Sequence, residues 1–298
     1  MKKWKKFLSS KSYKVVGVML MLGFSTPLLL AGQSKLISKY FTTSDGVKLH
    51  YIEVGSGPTL VLVPGWTMPA WIWQPQLEYF AGNYRVVALD PRGQGQSEKP
   101  GAGYHSTRRA QDIYELLKHL DREPVVLTGW SLAVQEVMVC ANEFGSELIK
   151  AIVLVDHPVN LSQQDSERVA ADRIQKLQLD RSSWTRSFIE AIHQTPQSEM
   201  YFDSLTKDVL TVPTNAAAMM ITNLHFIGPN DLRPMVNSLG KPILFIYSSL
   251  DWAVEAAEEV RENWPEAPVE IIDQTSHTVF RDRPQEFNQV LESFMVGL

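Results

Sequence analysis

The sequence predicts an α/β protein with a mostly parallel sheet covered by helices on both faces. Short, uninterrupted apolar runs rich in β-branched residues recur along the chain, as strands buried on both faces require. Helical periodicities lie between them, and that alternation implies parallel strands joined by crossover helices. One long stretch, 159–239, carries helical patterns and no convincing strand, which predicts a helical insertion.

Residues 1–32 differ in kind from the rest. Lys2, Lys3, Lys5, Lys6, Lys11 and Lys14 have no acidic counterparts, and a mainly apolar run from Val15 to Leu30 follows them. A basic start, a short apolar stretch and small residues at Ala31-Gly32 read as a secretory signal. The run is a little short for a spanning helix, and the cleavage site matches poorly, so an uncleaved membrane anchor is the competing reading. Both place the body of the protein outside the cytoplasm, and membrane contact is expected only through this segment.

The body then alternates. Lys48–Val54 alternates in polarity before the turn Gly55-Ser56-Gly57-Pro58. Thr59–Val63, Tyr84–Leu89, Val125–Thr128, Ala151–Val155 and Ile243–Ser248 are the buried-strand candidates, with Val269–Ile272 strand-like near the end. Ser106–Leu120, Leu132–Glu143 and Gln285–Phe294 read as helices between and after them. Within 159–239 the helical candidates are Arg168–Leu177, Trp184–His193 and Thr214–Leu224. The expected organisation is a leader at 1–32, a core from 33–158 and 240–298, and a helical cap at 159–239 over the carboxyl edge of the sheet, where open α/β sheets bind ligands.

Charge narrows the partners. The chain carries 28 basic and 33 acidic residues, net −5. Without the six leader lysines, 22 basic residues face 33 acidic ones, net −11. An acidic body argues against nucleic acid as a partner. Cys140 is the sole cysteine, so an intramolecular disulfide is impossible, and its apolar helical setting suggests an inert core thiol.

The chemistry-bearing pattern begins where Val125–Thr128 runs into Gly129-Trp130-Ser131-Leu132-Ala133 and then a helix. A strand, a small residue, a serine between bulky neighbours, a small residue and a helix make a nucleophile elbow. The turn is tight and the helix packs close to the strand, which is why small residues flank it; Ala133 stands where the pattern usually has Gly. With Asp90-Pro91-Arg92-Gly93-Gln94-Gly95-Gln96-Ser97 and Val63-Pro64-Gly65-Trp66, these motifs resemble the α/β-hydrolase superfamily over nearly the whole body, in particular its esterase and haloperoxidase-like members. Pro64 stands where their oxyanion segment commonly has His. The elbow is similar to that of pimeloyl-ester carboxylesterases. The resemblance implies the α/β-hydrolase fold, with the helical cap inserted after the sixth strand.

It also implies roles. Ser131 is the expected nucleophile. His277, after Val269–Ile272 and before the last helix, stands at the superfamily's position for the base. Asp251, in the turn after Ile243–Ser248, matches its usual acid, and the order Ser, Asp, His agrees. Asp156 at the end of the preceding strand is a rival, since some lipases place the acid there; Asp273 lies too near His277 in sequence. The backbone N–H groups of Trp66 and Leu132 are the expected oxyanion donors. Asp90 and Arg92 read as structural bracing, the alternative being that Arg92 binds a substrate carboxylate. Trp66, Trp130 and Trp252 are expected around the reacting atoms with His157 lining the pocket, Met219, Met220 and Phe226 closing it, and Trp73 packing in the core.

The expected activity is hydrolysis of a carboxylic ester of a small apolar substrate through an acyl-enzyme. Perhydrolase or haloperoxidase-type chemistry and lactone or amide hydrolysis would use the same residues, and a non-catalytic binding protein of the same fold is the alternative of another class. No cofactor or metal is expected: there is no H-E-x-x-H, no cysteine cluster and no dinucleotide fingerprint.

Overall fold

A computed structural model describes residues 35–120 and 123–298; the leader expected at 1–32 lies outside them. Eight strands form one sheet: β1 (Ile37–Thr42), β2 (Lys48–Val54), β3 (Thr59–Val63), β4 (Arg85–Asp90), β5 (Val125–Trp130), β6 (Ile149–Val155), β7 (Ile243–Ser248) and β8 (Val269–Ile272). Their order is β1-β2-β4-β3-β5-β6-β7-β8, antiparallel at β1/β2 and β2/β4 and parallel from β4 onward.

The two-residue period of the central strands splits their side chains between two cores. Val61, Val63, Val87, Leu89, Leu127, Ile152, Leu154, Phe245 and Tyr247 face one side, under α2 (Ser106–Leu120), α3 (Leu132–Val139) and α9 (Asp251–Asn263). Leu60, Leu62, Val86, Ala88, Val126, Val153, Val155 and Ile246 face the other, against α1 (Gln74–Phe80), α10 (Val279–Asp282) and α11 (Pro284–Val296). Each such Val, Leu or Ile contributes roughly 1.5–3 kcal/mol by leaving water. At the start of β6 the register with β5 slips, Val125 facing Ile149 and Val126 facing Ala151, and the skipped Lys150 is exposed. The slip lets a lysine sit in an otherwise apolar strand.

Among the described residues, helices alone lie between β6 and β7: α4 (Gln163–Leu179), α5 (Arg181–Ala191), α6 (Glu199–Thr211), α7 (Thr214–Thr222) and α8 (Arg233–Ser238). The root of this insertion is cinched by an antiparallel bridge between Asn160 and Asp231. Leu161 donates its N–H to Asn230 at 2.8 Å, and Leu232 donates to Val159 at 2.7 Å.

Differences from the sequence expectation have local causes. β1 is an edge strand whose residues are mostly exposed, so it has no apolar run to announce it. The expected helix Leu132–Glu143 gives way at Cys140 to a π-helical turn over Cys140–Phe144. Asp251, expected in a turn, opens helix α9. Helix α6 carries Phe202, Leu205 and Val209 inward at helical spacing.

Candidate active site

The strand order places the carboxyl ends of β3 and β5 side by side where the chain reverses its direction of growth across the sheet. Ser131 follows β5 directly and precedes α3, with φ 57° and ψ −126°. Left-handed backbone at a serine costs energy, and the surroundings hold it. Its N–H donates to the Val155 carbonyl at 2.9 Å, and its own carbonyl accepts from Val134 at 2.9 Å. Gly129 is needed because a Cβ there would lie 2.7 Å from the Ala133 carbonyl oxygen. Ala133 fits: its methyl is buried in the core under α3, so Gly is not required there.

Two further residues complete a hydrogen-bonded line. The Nε2 of His277 lies 2.8 Å from Ser131 Oγ, and its Nδ1 lies 2.7 Å from Asp156 Oδ2. A carboxylate only accepts, so Nδ1 carries the proton and Nε2 is left to accept from the serine hydroxyl. Asp156 follows β6 in left-handed backbone, φ 50°, which turns its side chain back across the strand ends. Its other oxygen accepts the Ser248 N–H at 2.7 Å, tying it to the end of β7.

The carboxylate on His277 is therefore Asp156, not Asp251 as the sequence position suggested. Asp251 is exposed in the first turn of α9, where an acidic side chain complements the helix dipole. Both aspartates stand at strand ends, and the backbone turn at Asp156 decides which one reaches the imidazole.

The loop after β3 packs directly on the elbow. A Cβ at Gly65 would lie 2.9 Å from Ser131 Cβ and 3.2 Å from the Trp130 carbonyl oxygen, so the backbone entering Trp66 runs against the nucleophile. That loop is held from behind by Gln94, whose amide donates to the carbonyls of Gly65 at 3.0 Å and Met68 at 2.7 Å. Gln94 Oε1 accepts from Arg109 at 2.9 Å, and Arg109 is in turn paired with Glu136 of α3. All three are buried, so one polar chain links the nucleophile's helix to the Gly65–Met68 loop. Its residues were not singled out from sequence; Gln94 lies within the Asp90–Ser97 motif, and a Gln, an Arg and a Glu facing an apolar core were the available signal. Asp90 braces the same loop by accepting the Ala70 N–H at 2.5 Å. Arg92 is committed to Asp112, through bonds of 2.5 and 2.7 Å, and to Asp45, so its fork is not free for a substrate.

The aromatic residues divide. Trp66 is buried beneath the insertion, donating its indole N–H to the Ala217 carbonyl at 2.9 Å and packing on Trp184 and Phe188 at 5.9 and 5.7 Å between ring centres. Trp130, expected in the pocket, is 1% exposed and packs in the core at 5.0 Å from Phe280. Its indole donates to the His277 carbonyl at 2.8 Å, so it holds the histidine loop rather than lining a cavity. Trp73 stacks on Phe280 in the core, as expected. Trp252, 39% exposed, lies with its ring centre 6.1 Å from that of His277.

Met219 and Phe226 are 45% and 49% exposed. The inward positions of that helical stretch are Ala216, Ala217, Met220, Ile221 and Leu224, which pack with Trp66 and Leu132. Of the three residues expected to close the pocket, Met220 faces inward, whereas Met219 and Phe226 face solvent. His157 is buried next to Asp156, donates Nδ1–H to the Pro158 carbonyl at 2.7 Å, and is pushed down to about 4, chiefly by burial. Burial likewise lowers His225 to about 4, with the positive charge of Arg173 adding to it.

Comparison with known proteins agrees with this architecture. Residues 60–290 match the family described as the alpha/beta hydrolase family. A pimeloyl-[acyl-carrier protein] methyl ester esterase from Vibrio vulnificus is 24% identical over 260 residues, spanning 83% of this chain and 97% of the relative. An esterase from Exiguobacterium antarcticum superposes with a TM-score of 0.79 at 22% identity, over 87% of this chain and 99% of its own. A bromoperoxidase from Bacillus anthracis superposes with a TM-score of 0.78, also at 22% identity and over 87% and 99% of the two chains. The sheet order, the elbow after β5 and the family match over most of the described residues lead to one assignment: this chain belongs to the alpha/beta hydrolase family.

Proposed function

We propose that the protein is a serine hydrolase that cleaves carboxylic esters through an acyl-enzyme. The observation that carries this reading is the line Ser131 Oγ, His277, Asp156, with bonds of 2.8 and 2.7 Å meeting at opposite nitrogens of one imidazole. A serine hydroxyl is a weak nucleophile near neutral pH, and an adjacent base removes that handicap.

In this reading Ser131 attacks the ester carbonyl as His277 Nε2 takes its proton. Asp156 orients the ring and stabilises the imidazolium that forms. The negative charge on the tetrahedral oxygen falls to the backbone N–H groups of Trp66 and Leu132, each worth roughly 3 kcal/mol in such sites. His277 returns the proton to the leaving alcohol, then activates water to release the acid from Ser131. The helices of 159–239 act as a cap whose inward face, Met220, Ile221 and Leu224 with Trp66, favours an apolar substrate body. The leader places this activity outside the cytoplasm, on the support of its lysines and apolar run.

The test is turnover of p-nitrophenyl esters of graded acyl length by the full chain beside Ser131→Ala. Hydrolysis that disappears with Ser131 is the expected result. Hydrolysis that persists in the variant, or no turnover of any ester by folded protein, would overturn the reading.

A further inference from the structure

Buried arginines in this fold are matched with carboxylates, Arg92 with Asp112 and Arg109 with Glu136. That is the general rule, because a buried charge without a partner is costly. Arg173 of α4, half-buried, has no such carboxylate. Among the described residues it forms no hydrogen bond or ion pair, and the acidic group that influences it is Asp172, its exposed neighbour along the helix. Burial is nevertheless strong enough to pull its pKa below the ordinary arginine value.

Its position ties it to the reaction site. The guanidinium carbon lies 6.0 Å from the ring centre of Trp66 and 5.8 Å from that of Phe188. Trp66 follows Gly65, whose backbone borders Ser131. The charge of Arg173 is felt at His225 and at His157, and His157 also feels His277. The guanidinium thus lies against the aromatic pair Trp66 and Phe188, on the side of the insertion that packs over Trp66 and Leu132. Its N–H groups have no acceptor among the described residues, and a guanidinium fork is the donor set that grips a carboxylate with two parallel bonds.

A second group points the same way. His225 is buried, and neither of its ring nitrogens has a hydrogen-bond partner among the described residues. Buried polar groups are rarely left so. Neutral imidazole offers one N–H, which complements an anion already held by the arginine. His157 is different: its Nδ1–H is spent on the Pro158 carbonyl, so its Nε2 can only accept.

We propose that Arg173 and His225 form an anion subsite beside Ser131 and His277, and that the preferred ester carries a carboxylate on the arm that reaches it. This rests on the ester-hydrolase reading above and adds to it a substrate class: esters with an apolar body and one carboxylate. The carboxylate belongs either to the acyl arm, as in half-esters of dicarboxylic acids, or to the alcohol arm, as in acyl esters of hydroxy acids.

The test compares kcat/KM of the full chain for monomethyl adipate and for the acetate ester of 6-hydroxyhexanoic acid with that for methyl hexanoate and hexyl acetate, their neutral counterparts. Wild-type protein is expected to favour one anionic ester over its counterpart by about tenfold or more, the worth of a charged hydrogen-bonded contact. Which pair shows it identifies the arm. In Arg173→Met the ratio falls to about one or below, and Arg173→Lys restores part of it because charge remains and the fork is lost. A wild-type ratio of one or less for both pairs, or a ratio that Arg173→Met leaves unchanged, overturns the proposal. If Arg173→Met does not fold, the same ratio in Arg173→Lys decides, and no change there overturns it.

Two measurements separate this from the hydrolase reading. Labelling of Ser131 by a fluorophosphonate reports the nucleophile whatever the substrate. Adipate binding, followed by tryptophan fluorescence at constant ionic strength, reports the subsite without turnover. Adipate binding that is lost in Arg173→Met supports the subsite even if no ester is cleaved; equal binding by both proteins rejects it.

Discussion

Asp156 holds His277 by one carboxylate oxygen at 2.7 Å while its other oxygen accepts the backbone N–H of Ser248, also at 2.7 Å. The acid is thus clamped between the ends of β6 and β7, and its orientation does not depend on a flexible side chain alone. Asp156→Asn is expected to lower kcat by about 10³–10⁴-fold, because an amide can stabilise the wrong imidazole tautomer. Asp251→Asn is expected to leave kcat within about threefold, as ordinary surface substitutions do. Ester turnover by the two variants checks this, and the reverse pattern would return the acid's role to Asp251.

In the proposed mechanism Gln94 acts through the Gly65–Met68 loop, whose carbonyls it holds, and not by touching substrate. Gln94→Leu removes both of its bonds to that loop and is expected to reduce kcat by about 10–100-fold with KM nearly unchanged, since one misplaced oxyanion donor costs up to 10³-fold. A purely structural role would lower the folded fraction and leave kcat per folded molecule intact. Active-site titration with a fluorophosphonate tells these apart.

Removing Glu136 strands the buried guanidinium of Arg109. Glu136→Ala is expected to cost about 3–5 kcal/mol in urea unfolding. The double change Glu136→Leu with Arg109→Met should recover much of that loss, because two apolar groups replace a pair without leaving a lone charge.

Histidine burial sets an acid limit. His157 and His225 are both lowered from 6.5 to about 4, so they stay neutral in the folded protein where the unfolded chain would already bind protons. The unfolded state then holds more protons between these values, and stability rises with pH across that window. On acidification from pH 6.5 toward 4, unfolding free energy is expected to fall by about 3 kcal/mol for each residue. Chemical denaturation at several pH values checks this, and His225→Phe should remove about half of the slope.

The elbow makes an asymmetric demand on its two small residues. Gly129→Ala would drive a methyl into the Ala133 carbonyl, so it is expected to abolish ester turnover. Ala133→Gly should keep kcat within about threefold and cost about 1 kcal/mol of stability, the usual helix penalty. Turnover and thermal unfolding of the two variants give the comparison.

How far the sequence reached depended on the kind of contact each residue makes. That Ser131 and His277 meet was legible because local order, strand then turn then helix, determines where each points. The buried strands were legible because a run such as Thr59–Val63 has no polar member to face water. The acid was not, because Asp156 and Asp251 both follow strands, and the choice lies in one φ angle that the neighbouring residues do not announce. The inward face of α7 was read too broadly, taking in Met219 beside Met220, because the two are equally apolar and only packing in the cluster around Trp66 tells them apart. Trp130 was read as lining the pocket because it adjoins Ser131 in sequence, whereas consecutive residues leaving a strand point in opposite directions.

The bridge at Asn160–Asp231 begins four residues after the acid. The stretch that orients the imidazole is therefore also the stem on which the helical insertion stands. Had the carboxylate come from Asp251, the imidazole would be held from the chain after the insertion instead of the chain before it. With Asp156, the carboxylate that holds His277 and the root of the insertion lie on one short stretch of chain, 156–160. A change in the length of 156–160 would therefore disturb the setting of the imidazole and the root of the insertion together.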